Sequence, residues 1–202
     1  MTYPVQLDVN SPPRFDRIQL LLRLALAIAL GWIGITAGWV MCLLFLTLPI
    51  VAVIVVSTRG APTYLDNTGT QLWRAIGWLL TFSAYMLLLV DRFPLGESSD
   101  VRIELRLTGQ PTTGSALLRL LTSIPSGFVL GLLGIVSSVM FVVGVVTILV
   151  DGTVPPSILA FQRGVLRWQA RLLAYHASLV DEYPPFSFEE PHARPGDRAS
   201  MV

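Results

Sequence analysis

The chain has 202 residues, 53% of them hydrophobic and only 13% charged, with a mean hydropathy of +0.65 and a formal net charge of +1. A soluble domain carries about 25% charged residues, so this chain lacks the polar surface to face water all round and reads as a membrane protein. A balance so near zero, with 14 arginines and no lysine on the basic side, gives no electrostatic footprint for nucleic acid.

In chain order, Tyr3–Val9 (YPVQLDV) alternates apolar and polar residues, the period of a half-exposed strand, and Asn10–Pro13 breaks it. Asp8, Pro12, Pro13 and Asp16 precede the first apolar run. No small-residue cleavage site follows that run, so it is expected to stay as an anchor and not to act as a secretory signal. From Ile18 to Val56 the only charge is Arg23. That is too long for one span of about 20 residues, and two short helices turning near Gly34–Trp39 fit better. Gly60–Gly69 is a polar connector, and Gln71–Val90 is helical in pattern, ending at Asp91-Arg92-Phe93-Pro94. After a linker at Gly96–Asp100, the order restarts with an alternating strand at Val101–Leu107. An apolar run at Leu120–Val150 suits a second hairpin turning near Gly134–Ser138. Ile158–Val180 is a second closing helix. Beyond Pro185 the tail reads as disordered from its composition.

The restart is legible residue by residue. Placing Trp78 on Trp168 also matches Ala84 with Ala174, Tyr85 with Tyr175, Leu89 with Leu179, Val90 with Val180, Asp91 with Asp181 and Pro94 with Pro184. Leu21-Leu22-Arg23-Leu24 recurs as Leu117-Leu118-Arg119-Leu120, and Gly127 falls on Gly31. A period near 90 means a domain-sized repeat and not a solenoid. The expected architecture is an all-α integral membrane protein with two short cytoplasmic strands. It is read as a tandem duplication with repeats at 1–96 and 99–186 and a tail at 187–202. Each repeat comprises a strand, a transmembrane hairpin and an amphipathic closing helix, giving four transmembrane helices.

The same residues carry a family resemblance. YPVQLDV, the IPSGFVL run after Arg119, GVLRWQARLLAY and DEYPPF together resemble the bacterial membrane-protein family named as domain of unknown function 4389. The second half matches nearly along its full length. In the first half the arginine-bearing element has become Gly77-Trp78-Leu79-Leu80-Thr81, without two arginines. The resemblance implies a fold and a membrane location and no activity.

Arg163, Arg167 and Arg171 recur every four residues, with Val165, Trp168, Leu172 and Tyr175 opposite. This is the pattern of a helix lying in the interface, arginines among lipid phosphates and aromatics at headgroup depth. Two hairpins place every arginine on one side, so both termini are expected to be cytoplasmic in a multi-pass cell-membrane protein. The halves then share one orientation about a pseudo-two-fold axis along the membrane normal. The two strands, as symmetry mates on one face, are expected to pair with each other, since a lone strand leaves half its backbone groups unpaired.

Arg163, Arg167, Arg171, Trp168 and Tyr175 are the candidate contacts for anionic lipid headgroups or an acidic partner segment. Gly31, Gly34, Gly127, Gly131 and Gly134 are the candidate helix-packing positions. Asp91 and Asp181 each end a helix, where the dipole disfavours an acid. Arg23 and Arg119 each sit about one turn inside a span, so the pairs Arg23–Asp91 and Arg119–Asp181 are expected, with Arg59 and Arg167 as competing partners. The lone Cys42 is expected as a buried small hydrophobe. His176 and His192 have no metal-ligand spacing around them, and Ser57, Ser123, Ser126, Ser137 and Ser138 have no base nearby and are expected to bond backbone or a neighbouring helix.

No cofactor, metal or catalytic residue is expected. The leading functional expectation is a non-enzymatic scaffold or accessory module of a membrane complex, in contact with the lipid bilayer and capable of homo-oligomerising or joining a larger assembly. The alternative is a small transporter, channel or lipid-translocating protein built on the pseudo-two-fold. Against that alternative, no charged residue lies between Leu24 and Thr58 or between Leu120 and Val150.

Overall fold

In a computed structural model the structure describes residues 3–32, 37–95 and 100–188. The expected turn near Gly34–Trp39 and the tail beyond residue 188 fall wholly or partly outside them. The element order is β1 (Val5–Val9), α1 (Arg17–Trp32), α2 (Ala37–Arg59), α3 (Ala61–Thr63), α4 (Thr70–Met86), β2 (Val101–Leu105), α5 (Thr113–Thr122), α6 (Ile124–Asp151) and α7 (Pro156–His176). Gly60, at φ 82, ends α2. The stretch expected as a connector, Gly60–Gly69, is instead largely helical: α3 runs through a π-helical segment, Tyr64–Gly69, into α4.

The alternation read in the sequence folds as expected. β1 and β2 pair antiparallel, Val5 opposite Leu105 and Val9 opposite Val101, with Leu7 facing Ile103 at the centre. Val5, Leu7 and Val9 are buried, as is Val101, while Asp8, Arg102 and Glu104 face outward. Leu7 and Ile103 are 96 positions apart, the same interval that separates Arg23 from Arg119.

Helix lengths divide the apolar segments. α2 and α6 are long and apolar enough to cross a membrane. α1, with 16 residues, and α5, with 10, rise only about 24 and 15 Å, against about 30 Å of hydrocarbon. The second hairpin is not built as expected, because α6 passes through Gly134–Ser138 unbroken. The break lies earlier, at Ser123, because Pro125 has no N–H to give the carbonyl of Leu121 and its ring crowds that carbonyl. α5 begins with a reciprocal cap: the Ser115 N–H donates to Thr112 Oγ1 at 3.1 Å, and the Thr112 N–H to Ser115 Oγ at 2.9 Å.

α7 is the best-covered helix, packed against α6, α4, β1, α5 and α2. Its core residues Leu166, Ala170, Ala174 and Leu173 join Tyr85, Leu89, Leu179 and Val180 in one cluster reaching under the sheet. By contrast α2 presents Leu43, Leu46, Ile50 and Ile54, and α6 presents Phe128, Ile135, Val139, Val142, Val146 and Val150, outward. Cys42 also faces outward on α2, and is not the buried hydrophobe expected.

Candidate functional site: two arginine clasps at the ends of α4 and α7

Each closing helix ends in the same way. α4 stops at Leu87 and the next residue, Leu88, adopts φ 61; α7 stops at Ala177 and Ser178 adopts φ 59. The Leu89 N–H donates to Ala84 O at 2.9 Å and the Leu179 N–H to Ala174 O at 3.0 Å. The left-handed residues donate to Tyr85 O and Tyr175 O. These are Schellman closures without glycine, and a non-glycine left-handed residue costs about 1–2 kcal/mol. Both Leu88 and Ser178 are fully buried, so surrounding contacts must hold the strained turns in place.

An arginine from the first helix of each half supplies such a contact. Arg23 in α1 donates through Nη2 to Val90 O at 2.8 Å, and Arg119 in α5 donates through Nη1 to Val180 O and Tyr175 O, each at 2.6 Å. The Arg23 guanidinium lies 4.2 Å from the centre of the Tyr85 ring, and that of Arg119 lies 4.7 Å from Tyr175. Phe93 meets Tyr85 edge-on at 5.4 Å, and Tyr183 meets Tyr175 edge-on at 5.4 Å. Asp91 Oδ2 accepts the Asp16 N–H at 3.0 Å beside the start of α1, and Asp181 Oδ2 accepts the Gln110 N–H at 2.8 Å shortly before α5. Cations on helix-end carbonyls complement the dipole there, and a buried guanidinium over a phenol face gains cation–π attraction.

The expected ion pairs separate at this point. Arg119 Nη2 bonds Asp181 Oδ1 directly. Among the described residues Arg23 makes no ion pair, and its Nε and Nη1, like Asp91 Oδ1, are buried without a hydrogen-bond partner. Burial holds the Asp91 carboxyl above its ordinary 3.8, opposed by the Asp16 N–H and by Arg23.

The arginine stripe of α7 makes hydrogen bonds within the chain. Arg163 Nη2 donates to Ser11 Oγ at 3.1 Å, and Arg167 Nε donates to Leu7 O at 2.9 Å. The Asn10 N–H bonds Asp100 O and the Arg106 N–H bonds Pro4 O. Leu7 therefore falls at a non-hydrogen-bonded position whose carbonyl points away from β2, and Arg167 satisfies it. Arg171, almost fully buried, donates to Ser187 O at 3.1 Å and lies 5.6 Å from the Tyr3 ring centre. Trp168 is buried edge-on against Phe186 at 5.2 Å and Phe188 at 6.1 Å. Phe188 sits where a Cβ on Gly164 would come within 2.7 Å, so residues 187 and 188 of the expected tail pack onto α7. The helical period located the stripe correctly. What the period could not show is that the sheet and the chain end cover it.

Of the packing glycines, Gly127 alone meets a neighbour, the Phe45 ring at 3.5 Å. A Cβ added at Gly31, Gly131 or Gly134 would have nothing within 4 Å, and Gly34 lies outside the described residues. Ser137 bonds Gln162 Oε1 on a neighbouring helix and Ser57 and Ser138 bond their own helices, as expected, while Ser126 meets the hydroxyl of Tyr183, beyond the end of α7, at 2.5 Å. His176 forms a junction that sequence reasoning did not assign. Its Nδ1 meets Ser123 Oγ at 3.0 Å, its Nε2 meets Phe45 O, and its ring stacks on Phe45 at 4.1 Å. Burial lowers the basicity of its imidazole. The Tyr64 hydroxyl, in the π-helical segment, donates to Ala177 O, and burial pushes its pKa up to about 12. The His176–Phe45 and Tyr64–Ala177 contacts have no local signature, because each joins residues more than 100 positions apart.

No curated protein and no solved structure matches the chain. Residues 114–187, which hold α6, α7 and the Arg119, Tyr175, Val180 and Asp181 clasp, match the model of a family described as Domain of unknown function (DUF4389).

Proposed function

We propose that the chain is a non-enzymatic scaffold or accessory module of a membrane complex. The observation that carries this reading is the division of its surface. The buried polar groups Arg119, Arg171, Gln162 and His176 are bonded to the chain's own backbone and side chains, while the long helices α2 and α6 turn apolar faces outward. Rigid internal clasps with apolar outer helices suit a part that holds position for others. The protein sits in the cytoplasmic membrane, multi-pass, with both termini cytoplasmic, as a homo-oligomer or within a larger assembly.

Several contacts support this topology. β1 pairs with β2, the Asp16 N–H bonds Asp91, the Phe15 N–H bonds Gly152 O, and the Gln110 N–H bonds Asp181. In this reading the segments so joined share one face, and the chain enters and returns between residues 16 and 91 and again between 110 and 152. The four membrane-entering helices are α1, α2, α5 and α6.

A tandem duplication underlies the two halves in this reading. Its support is that both Schellman closures, both tyrosines and both edge-on rings recur at an interval of 90, and that β1 pairs with β2 in the register that sets Leu7 against Ile103. A two-fold axis demands that centred pairing.

Purifying the full chain in native-lipid nanodiscs and identifying its co-purifying proteins tests the function. A stoichiometric partner is expected. A chain that purifies alone and passes a solute across reconstituted vesicles overturns the scaffold reading.

A further inference from the structure

A cleft of about 430 Å³ lies where the segment before α1 meets the turn between α6 and α7. Ser11, Thr147, Asp151, Thr153 and Arg163 provide its polar groups, and prolines from both segments form much of its wall. Arg163 reaches Ser11 Oγ through Nη2, but its Nε is buried with no hydrogen-bond partner. A guanidinium lining a cleft is suited to an oxyanion, above all a phosphate oxygen. Asp151 opposes that charge in the same cleft. A purely anionic ligand would be repelled by it, whereas a ligand that also carries an ammonium would pair with it. Beside Thr147 and Asp151 on α6, the side chains of Val146, Leu149 and Val150 are about half exposed or more, so apolar chains leaving the cleft have a surface to follow.

We propose that this cleft seats the headgroup of a zwitterionic phospholipid, phosphodiester on Arg163 and ammonium at Asp151, with its acyl chains along the end of α6. The assignment rests on the reading of the chain as a membrane protein. A soluble phosphoethanolamine ester offers the same charges, but it has no use for the exposed valines and leucine, which favours the lipid.

The test uses the full chain in detergent, followed by native mass spectrometry during titration with phosphatidylethanolamine, phosphatidylglycerol of the same acyl chains, and soluble glycerophosphoethanolamine. Phosphatidylethanolamine is expected to bind about fivefold more tightly than phosphatidylglycerol, the worth of one ion pair near the surface. Arg163→Gln is expected to weaken both lipids about tenfold. Asp151→Asn is expected to erase the preference, weakening phosphatidylethanolamine and strengthening phosphatidylglycerol as the repulsion is removed. Equal affinity for the two lipids in the unaltered chain, or a preference that survives Asp151→Asn, overturns the proposal. Glycerophosphoethanolamine binding as tightly as the lipid overturns the lipid assignment in favour of a free headgroup. Should Arg163→Gln not fold, Asp151→Asn, at an exposed position, still decides. Carbonate extraction run alongside separates the two failures. A chain released from membranes sinks the membrane reading, and one that stays in the pellet without headgroup preference sinks this inference alone.

Discussion

Arg119 and Arg23 each reach from the first helix of their half to a Schellman-closed helix end, yet Arg119 meets two carbonyls and a carboxylate while Arg23 meets one carbonyl. The difference lies in where the oxygens of the acid go. Asp181 divides its two oxygens between Arg119 and the Gln110 N–H; Asp91 gives one oxygen to the Asp16 N–H and leaves the other unbonded. Arg23 is fully buried, so its unmatched N–H groups carry a desolvation cost that Arg119 avoids. Matching residues therefore do not guarantee matching pairs: the helix-end carbonyl and the tyrosine face are common to both sites, and the ion pair is particular to one.

The largest expected effect breaks this comparison directly. Arg119→Gln leaves Asp181, Tyr175 O and Val180 O without their donor and should cost about 3 kcal/mol, the lower end for a partly buried pair losing one partner. Arg23→Gln gives up one carbonyl bond while relieving unmatched N–H groups, and should cost about 1 kcal/mol. Unfolding of both variants in detergent checks this, and equal losses would mean that the two clasps carry equal weight.

Next in size is a contrast of sign between the closing helices. Gly164→Ala in α7 drives a methyl into Phe188 and should destabilise by about 1–3 kcal/mol. Gly77→Ala in α4, where nothing lies within 4 Å, should stabilise by up to about 1 kcal/mol through helix propensity. Thermal unfolding of the two variants that moves in the same direction would show that α7 is no more enclosed than α4.

A double-mutant cycle sharpens the comparison further. Arg119→Gln with Asp181→Asn should couple by at least about 0.5 kcal/mol, whereas Arg23→Gln with Asp91→Asn should add within about that error. Coupling in the first-half cycle as large as in the second would restore the missing ion pair.

The smallest effects are in pH dependence. His176 stands where α4 has Met86, 90 positions earlier. Its folded-state basicity is lowered by burial, so the unfolded chain takes up the proton first and stability falls as pH drops below 6.5. His176→Met should flatten that limb in a pH series of unfolding midpoints. Asp91 shifts the opposite way: burial raises its pKa above 3.8, so its contribution is present below that value and is lost as pH rises through the folded-state pKa. Asp91→Asn should therefore gain on the unaltered chain as pH rises above about 4, and a variant that tracks the unaltered chain throughout would contradict this.

Where the determining physics is local, the sequence decided the outcome. The alternation in VQLDV and VRIEL sets one face of each strand inward, and the two strands pair with each other. Low charge and long apolar runs give two helices, α2 and α6, long and apolar enough to cross a membrane. The Arg119–Asp181 pair was legible because both residues fall at helix ends on one level. Tertiary structure decided what depends on which surfaces meet. The arginines of α7 look interfacial by period, and what the period does not show is that an outward carbonyl of Leu7, a serine and the chain end each accept a hydrogen bond from them. The small residues of α6 look like a turn and a packing seam, yet at Gly131 and Gly134 the helix runs on with no neighbour within 4 Å of an added Cβ, and Pro125 takes the break instead. Arg23 and Asp91 carry the same residue types as Arg119 and Asp181 yet form no ion pair, a difference that residue types do not encode and the packed structure decides.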